Sequence, residues 1–181
     1  MNKSESDKLD EIRKLIKPYS DFPKKGVLFR DIFPVFQNPN ALHDMIEIIE
    51  NKISKNSENI DIIVGLDARG FLIAPLLAYH LKLPFVPVRK KGKLPGEIIS
   101  FSYNLEYGSN VFEIQKGSIS KGKNVAVIDD LLATGGSMDA SCNLVESVGG
   151  NVVLCLVIME LMDLKGRDKL GKRNFYSMLQ F

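Results

Sequence analysis

Residues 124–137 carry acids, hydroxyls and paired glycines in an order that suits the binding of an oxyanion. An apolar run ends in Asp129 and Asp130, and a loop of small residues leads from these acids into an amphipathic helix. Glycines let backbone N–H groups approach an oxyanion closely, and the start of a helix adds partial positive charge. The two carboxylates could accept hydrogen bonds from a sugar diol. The members of this predicted phosphate loop are Ala133, Thr134, Gly135, Gly136 and Ser137.

The phosphate loop lacks the marks of two common phosphate-binding motifs. No Gly-Lys-Ser or Gly-Lys-Thr follows it, so it is not a P-loop, and it lacks the GxGxxG spacing of dinucleotide-binding turns. The alternative is an ordinary strand-to-helix turn with a capping acid. Ligands of open α/β sheets bind at the carboxyl ends of strands, where this loop must lie, and its position therefore favours binding.

Two further segments carry cations at predicted strand ends. Asp67-Ala68-Arg69-Gly70 follows an apolar run, and a guanidinium at such an edge could bind a phosphate in a fork. Residues 89–93 contain Arg89, Lys90, Lys91 and Lys93. The alternatives are a surface arginine in a turn and a solvated charge run. Their position beside the phosphate loop favours a clamp for an anionic group.

Composition excludes several classes of protein. With 181 residues, 45% hydrophobic residues and a formal net charge of only +2, the chain is an ordinary globular one and not a dedicated binder of nucleic acid or membrane surfaces. No apolar run is long enough to span a bilayer, and the first residues lack the apolar core of a secretory signal. Cys142 and Cys155 lie among apolar residues, which predicts buried free thiols. We therefore expect a cytoplasmic protein.

The two histidines, His43 and His80, lie far apart in the sequence, and no His, Cys and carboxylate spacing resembles a zinc site. We therefore predict no metal bound by protein ligands alone. Acid–base chemistry would fall to Asp, Glu, Lys or Tyr.

Short β-branched runs alternate with helical patterns and predict an α/β fold with a parallel sheet. The predicted strands are 60–66, 85–89, 125–128 and 152–159, with a further strand at 175–181. Helices are predicted over 4–17, from a cap at Asn40, and over 70–81 and 137–148.

Two segments interrupt this alternation. Residues 1–36 read as a helix followed by an ordered arm rich in Pro, Phe and Gly. Residues 90–124 read as a flexible two-stranded flap, and a long insertion in a compact α/β domain is more often functional than accidental. We predict that residues 1–181 form a single domain that includes both segments.

Residues 124–137 resemble the ribose-phosphate signature of the type I phosphoribosyltransferases, whose shared substrate is phosphoribosyl pyrophosphate. Further motifs resemble the adenine-specific members of that family, in order and at family-like spacing over about residues 20–181. These motifs are Phe22-Pro23, Gly26–Ile32, Gly65–Phe71, Arg89–Gly96, Leu105–Gly108 and Leu164–Arg167. The resemblance implies a twisted parallel sheet flanked by helices, an N-terminal hood and a flexible flap.

The resemblance also implies roles for individual residues. Asp67 and Ala68 would form a pyrophosphate turn with a non-proline cis peptide between them, although family members often have Ser where Ala68 stands. Ser137 replaces a frequent Thr. The implied pyrophosphate-binding cations are Arg69, Arg89 and Lys93, with Lys90 beside them.

The purine side is implied by the same resemblance. An acid in a flap ordinarily serves solubility, but here Glu106 would close over the purine and exchange a proton with its ring, with Tyr107 helping to exclude water. Phe29 would stack on the base, although periodicity alone makes it a core aromatic. The other implied purine contacts are Val27, Leu28, Arg30 and Leu161.

The implied reaction converts adenine and phosphoribosyl pyrophosphate to AMP and pyrophosphate. Mg²⁺ would be the cofactor and would reach the site through substrate oxygens and water, and a homodimer is expected. The alternatives are transfer to a 6-oxopurine and a non-catalytic sensor of phosphoribosyl pyrophosphate. A phosphoacceptor switch built on Asp129 and Asp130 is weaker, because it leaves the paired glycines unexplained.

Overall fold

The computed structural model describes residues 3–55, 59–105 and 108–181, with the side chains of residues 103–105, 108 and 109 left undescribed. The chain divides into two units, Met1–Lys52 and Ile53–Phe181, each of which is described by itself. Within the described residues, no helix is both long and apolar enough to cross a membrane.

The first unit contains helix α1 (Glu5–Leu15), strands β1 (Lys17–Ser20) and β2 (Leu28–Asp31), the short helix α2 (Phe33–Phe36) and most of helix α3 (Pro39–Ser54). A capping box between Ser4 and Asp7 begins α1. Strands β1 and β2 pair antiparallel, with Tyr19 opposite Phe29. The predicted ordered arm is therefore a two-stranded ribbon.

The cap of α3 differs from the prediction. The side-chain oxygen of Asn38 accepts hydrogen bonds from the backbone N–H groups of Asn40 (3.1 Å) and Ala41 (3.2 Å). Asn38 therefore begins the helix, and Asn40 lies inside it, because Pro39 occupies the first helical position, where its missing N–H costs nothing. Helix α3 is amphipathic, since Met45, Ile46 and Ile49 are buried on one face.

The second unit is built on a seven-stranded sheet in the order β5-β6-β4-β3-β7-β8-β9. Strands β4, β3, β7, β8 and β9 form parallel pairs with their neighbours, and β6 is antiparallel to both β4 and β5. The strands are β3 (Ile62–Leu66), β4 (Phe85–Lys90), β5 (Ile98–Leu105), β6 (Gly108–Gln115), β7 (Asn124–Leu132), β8 (Asn151–Glu160) and β9 (Phe175–Gln180). The predicted α/β fold with a mainly parallel sheet is confirmed.

Two elements depart clearly from the predicted bounds. Residues 70–81 form two helices instead of one, a 3-10 turn at Arg69–Leu72 and helix α4 (Ala74–Leu81), because Pro75 lies in the first turn of α4 and cannot continue a preceding helix. Strand β7 runs on to Leu132, past the two acids, because β8 is long enough to pair with it up to Glu160. Helix α5 (Gly136–Ser147) begins where the prediction placed it, within one residue.

The two strands of the predicted flap, β5 and β6, belong to the seven-stranded sheet. Strand β6 pairs with β4, with Arg89 opposite Glu113 and Lys90 opposite Phe112. Phe112 and Ile114 are buried in the main apolar core together with residues of β3, β7 and α5. Residues 106 and 107 lie outside the described residues.

The two cysteines are buried free thiols, as predicted. Their sulfur atoms lie 3.4 Å apart, between α5 and β8. The hydrogen bond with Cys155 and burial together raise the pKa of the Cys142 thiol well above its ordinary value. Both thiols pack the core, and the raised pKa makes Cys142 a poor nucleophile.

Candidate functional site

The phosphate loop lies at the carboxyl end of β7 and leads directly into α5. Gly135 has φ +79°, a left-handed conformation that L side chains rarely adopt, and its carbonyl accepts from the N–H of Asp139 at 2.9 Å. One cavity is lined by the loop, the two acids and Arg69. The predicted members that line it are Arg69, Asp129, Asp130, Ala133, Thr134, Gly135, Gly136 and Ser137.

A second glycine lies against the outside of the phosphate loop. A Cβ atom on Gly135 would lie 2.3 Å from the carbonyl oxygen of Gly166, and one on Gly166 would lie 2.3 Å from the carbonyl oxygen of Ala133. Neither position has room for any side chain. The backbone around Gly166 therefore packs directly against the phosphate loop and fixes its position.

The two acids at the end of β7 have different surroundings. Asp130 is buried and accepts a hydrogen bond of 2.6 Å from Nε of Arg69. Asp129 accepts from the N–H of Asp130 at 2.9 Å. Burial, followed by the charge of Asp130, raises the pKa of Asp129 well above its ordinary value. A carboxyl group of this kind retains its proton more readily and can donate as well as accept a hydrogen bond.

The turn after β3 packs directly against β7. The peptide bond between Asp67 and Ala68 is cis, which confirms the prediction, and the 3-10 turn begins at Arg69. A Cβ atom on Gly70 would lie 2.9 Å from the carbonyl oxygen of Ile128 and 3.0 Å from Oδ1 of Asp129. This close approach brings Arg69 to the acids.

Two of the predicted cations converge on Asp67. Nε of Arg89 lies 3.2 Å and Nζ of Lys93 lies 3.7 Å from Oδ2 of Asp67, whose side chain is only 6% exposed. A further hydrogen bond of 3.3 Å joins the Arg89 guanidinium to the carbonyl of Lys93. Lys90 is exposed, and strand alternation places it on the opposite face from Arg89.

The predicted purine contacts are divided between the two units. In the first unit, Val27 precedes β2, and Leu28, Phe29 and Arg30 lie in β2. The rings of Phe29 and Phe22 meet edge to face, with their centres 5.1 Å apart. In the second unit, the N–H of Leu161 donates to the carbonyl of Leu132 at 2.9 Å, beside the phosphate loop. Glu106 and Tyr107 lie outside the described residues, so their roles stay predictions.

Glu160 and Arg167 are residues that the sequence analysis did not identify. Glu160 is 2% exposed, and Arg167 binds both of its carboxylate oxygens, at 2.5 and 2.6 Å. Ser177 donates to the same carboxylate at 2.6 Å, and the Arg167 guanidinium lies 4.7 Å from the centre of the Phe175 ring. Because Arg167 follows Gly166, this ion pair fixes the backbone that supports the phosphate loop.

One sequence signal could have indicated this ion pair. Glu160 is a charged residue directly at the end of an eight-residue apolar run, and Arg167 ends a motif already noted for its resemblance. A charge at the end of a buried strand requires a partner, because an unpaired buried carboxylate is costly.

Comparisons with known proteins agree with this geometry. A family model described as "Phosphoribosyl transferase domain" matches residues 34–179. An adenine phosphoribosyltransferase of Drosophila pseudoobscura pseudoobscura is 48% identical over 92% of this chain and 92% of that protein. The chain belongs to the phosphoribosyltransferase family and, within it, to the adenine phosphoribosyltransferases.

Solved structures agree as well. The adenine phosphoribosyltransferase of Saccharomyces cerevisiae, in complex with adenine and an imino-altritol bisphosphate, has a TM-score of 0.92 and 43% identity, covering 96% of this chain and 99% of that one. The enzyme from Trypanosoma brucei, with AMP, pyrophosphate and ribose-5-phosphate, has a TM-score of 0.87 and 29% identity over 96% of this chain and 78% of that one.

The Glu160–Arg167 ion pair predicts a specific pH dependence of stability. Burial raises the pKa of Glu160, but the hydrogen bonds of Arg167 and Ser177 outweigh it, so the pKa lies below its ordinary value of 4.5. The ionised carboxylate therefore contributes stability above about pH 4.5, and that stability is lost as the pH falls through the lowered pKa.

Glu160→Gln should reduce the free energy of unfolding at pH 7 by about 1–3 kcal/mol, because a charge-assisted hydrogen bond is weakened. The loss of stability between pH 7 and pH 4 should also be smaller in the variant than in the unchanged protein. Urea unfolding at a series of pH values measures both effects, with the exposed Glu97→Gln as the control. Parallel pH profiles for the unchanged protein and Glu160→Gln would contradict this assignment.

Proposed function

We propose that this protein transfers the 5-phosphoribosyl group of phosphoribosyl pyrophosphate to adenine, releasing AMP and pyrophosphate. The observation that carries the proposal is the cavity formed by Asp129, Asp130 and residues 133–137, with Arg69 at its edge. Adenine phosphoribosyltransferases similar to this chain, with adenine bound in one structure and AMP and pyrophosphate in another, support the same reaction.

The 5′-phosphate is proposed to bind the phosphate loop. Backbone N–H groups at the start of α5 and the hydroxyls of Thr134 and Ser137 supply donors, and the helix start supplies partial positive charge. The phosphate takes no part in bond breaking. Its binding therefore provides energy remote from the reacting carbon, which orients the sugar.

The ribose hydroxyls are proposed to bind Asp129 and Asp130. Cleavage of the C1–O bond leaves positive charge on the ribose ring, and acids nearby stabilise that charge. The raised pKa of Asp129 and the Arg69 partner of Asp130 give the two acids different hydrogen-bonding properties. One can donate to a hydroxyl, and the other accepts.

The pyrophosphate leaving group is proposed to bind Arg69, Arg89 and Lys93. These cations stabilise the negative charge that grows on the departing oxygens. Arg89 and Lys93 share the carboxylate of Asp67, which keeps both of them near one point before substrate binds. Ala68 and Lys90 are the proposed neighbours of this group.

Mg²⁺ is the proposed cofactor. Asp129 and Asp130 place carboxyl oxygens in the cavity, but in the described part of the chain no three His, Cys, Asp or Glu residues are grouped to hold a metal ion. We therefore propose that Mg²⁺ enters with phosphoribosyl pyrophosphate, held by its oxygens and by water. When bound, the ion neutralises charge on the pyrophosphate.

Adenine is proposed to stack on Phe29, with backbone groups of Leu28 and Arg30 forming hydrogen bonds to its edge and Val27 as a further contact. Leu161 is a further proposed purine contact. Backbone groups suit this discrimination, because a 6-amino group donates hydrogen bonds where a 6-oxo group accepts them. Glu106 is proposed to exchange the proton of the attacking purine ring, and Tyr107 to exclude water from the reactive sugar.

A homodimer in the cytoplasm is proposed as the working form. The exposed apolar side chains of Leu72, Leu76 and Tyr79 lie along the 3-10 turn and α4, and Tyr79 is 82% exposed. An apolar row of this kind supports contact between two copies. Sedimentation at the mass of one chain would exclude the dimer.

A purine panel tests the proposed reaction. Adenine should be turned over with phosphoribosyl pyrophosphate and Mg²⁺, and omission of Mg²⁺ should reduce the rate, because charge on the leaving group is then unneutralised. Hypoxanthine, guanine and xanthine should react at least about 100-fold more slowly. Preferred turnover of a 6-oxopurine would establish the first alternative, and binding of phosphoribosyl pyrophosphate without turnover of any purine would establish the sensor.

Gly135→Ala should weaken AMP binding by about tenfold or more, because overpacking costs about 1–3 kcal/mol and the new methyl group meets the Gly166 carbonyl. The matched control is Gly122→Ala. Gly122 has φ +80° but no atoms within 4 Å of an added Cβ, so it carries the same backbone strain without the clash. Calorimetry measures both affinities. Equal affinities for the two variants would place the phosphate elsewhere.

Glu106→Ala should lower turnover by about 10²–10⁴-fold and leave the affinity for phosphoribosyl pyrophosphate unchanged, because a general acid–base group acts on the purine and not on the sugar phosphate. The control is Glu97→Ala, which removes an exposed carboxylate from the same insertion. Steady-state rates and a binding titration distinguish the two effects. Normal turnover of Glu106→Ala would remove Glu106 from the mechanism.

A further inference from the structure

Glu113 is a buried acid with no place in the proposed reaction. It lies in β6 and is 2% exposed. Among the described residues of the second unit, Asp130 and Glu160 are likewise buried, and each of them binds an arginine. Glu113 instead accepts a hydrogen bond of 2.8 Å from the backbone N–H of Gly92, with Ser100 Oγ at 3.5 Å from its other carboxyl oxygen. A buried carboxyl group of this kind needs a structural or functional reason.

The register of the sheet places Glu113 beside a proposed pyrophosphate ligand. Arg89 of β4 and Ser100 of β5 are its direct cross-strand partners. Directly opposed residues of antiparallel strands have their side chains on the same face of the sheet. Glu113 therefore lies next to Arg89, at the point where β4 ends and the chain turns towards Lys93.

Other bonds hold the same turn to the same strand. The N–H of Lys91 donates to the carbonyl of Val111 at 3.0 Å, and the side chain of Gln115 donates to the carbonyl of Pro95 at 3.1 Å. Glu113 holds Gly92 between these two points. Strand β6 thus fixes the turn along its length. Of the described β6 side chains, those of Glu113 and Gln115 form hydrogen bonds with the backbone of the turn, and that of Glu113 is the buried one.

We propose that Glu113 is a positioning residue that places Lys93 for binding the pyrophosphate group. Its carboxyl oxygen fixes the Gly92 amide, and Lys93 is the next residue. The Arg89 guanidinium also donates to the Lys93 carbonyl, so the turn is held both at Gly92 and at Lys93. This proposal rests on the proposed role of Lys93 as a pyrophosphate ligand.

Four variants test the proposal: Glu113→Ala, Glu113→Gln, Lys93→Ala and the double variant Glu113→Ala/Lys93→Ala. The affinities for phosphoribosyl pyrophosphate, pyrophosphate and AMP are measured by calorimetry, and the KM for adenine by steady-state kinetics. AMP and adenine do not require the pyrophosphate clamp, so they report general damage to the fold. Lys116→Ala is the control, because Lys116 follows the same strand and forms only an exposed ion pair with Glu97.

Glu113→Ala should lower the affinities for phosphoribosyl pyrophosphate and pyrophosphate by about tenfold, which corresponds to the loss of one good hydrogen bond. It should change the affinity for AMP and the KM for adenine by less than about twofold. The affinities of Glu113→Gln for the same two ligands should lie within about threefold of those of the unchanged protein, because its amide oxygen can accept a hydrogen bond from the N–H of Gly92. The double variant should bind no more weakly than Lys93→Ala, because Glu113 acts through Lys93.

Each other outcome overturns the proposal. Normal pyrophosphate affinity in folded Glu113→Ala, equal losses for AMP and pyrophosphate, or additive losses in the double variant would each do so. Normal affinity in Lys93→Ala would show instead that the proposed role of Lys93 is wrong. If Glu113→Ala does not fold, Glu113→Asp replaces it, since the shorter side chain keeps the carboxyl group but withdraws it from Gly92. Unchanged pyrophosphate affinity in folded Glu113→Asp would overturn the proposal.

Discussion

The contact between the turn after β3 and the end of β7 is the constraint from which the site follows. The two strands run parallel and adjacent, so their carboxyl ends share one edge of the sheet. Gly70 permits the turn to approach the Ile128 carbonyl and the Asp129 side chain without a Cβ atom between them. A Cβ atom at this position would push the turn away from β7 and so move Arg69 away from Asp130.

Opposite charges alternate around this contact. Arg69 binds Asp130, and Arg89 and Lys93 share Asp67. The pairing keeps concentrated positive charge from repelling itself before an anionic ligand arrives, and it holds long flexible side chains in place. In the proposed reaction, binding of the pyrophosphate group would exchange these carboxylate acceptors for phosphate oxygens, which requires less reorganisation than ordering free side chains.

Local patterns predicted much of this structure. The β-branched runs predicted the strands because buried parallel strands require continuous apolar sequence. The order of acids, threonine and glycines predicted the turn that leads from β7 into α5. The resemblance to a family supplied what pattern alone could not, including the cis peptide at Asp67–Ala68. The bounds of β7 were missed because they depend on the length of β8, and the cap of α3 because two asparagines compete within three residues.

The supporting acids were missed for a different reason. Glu160 meets Arg167 and Ser177 only after the chain has turned back, and Glu113 meets Gly92 across a strand pairing. The charge at the end of the apolar run indicates that Glu160 needs a partner, but no local pattern identifies the partner of either acid. The alternation of β6 indicates an outward polar face, whereas in the structure Glu113 is buried and bonds to the turn at Gly92.

Neither Gly135 nor Gly166 leaves room for a side chain on the other, and this restricts which substitutions the protein can accept during evolution. A tight contact between two ordinary residues can be repaired, since enlarging one can be offset by shrinking its neighbour. Here both residues already have the smallest side chain that exists, so no compensating exchange is open at either position. Repair would have to come from displacement of the backbone itself, and the Glu160–Arg167 ion pair resists that displacement.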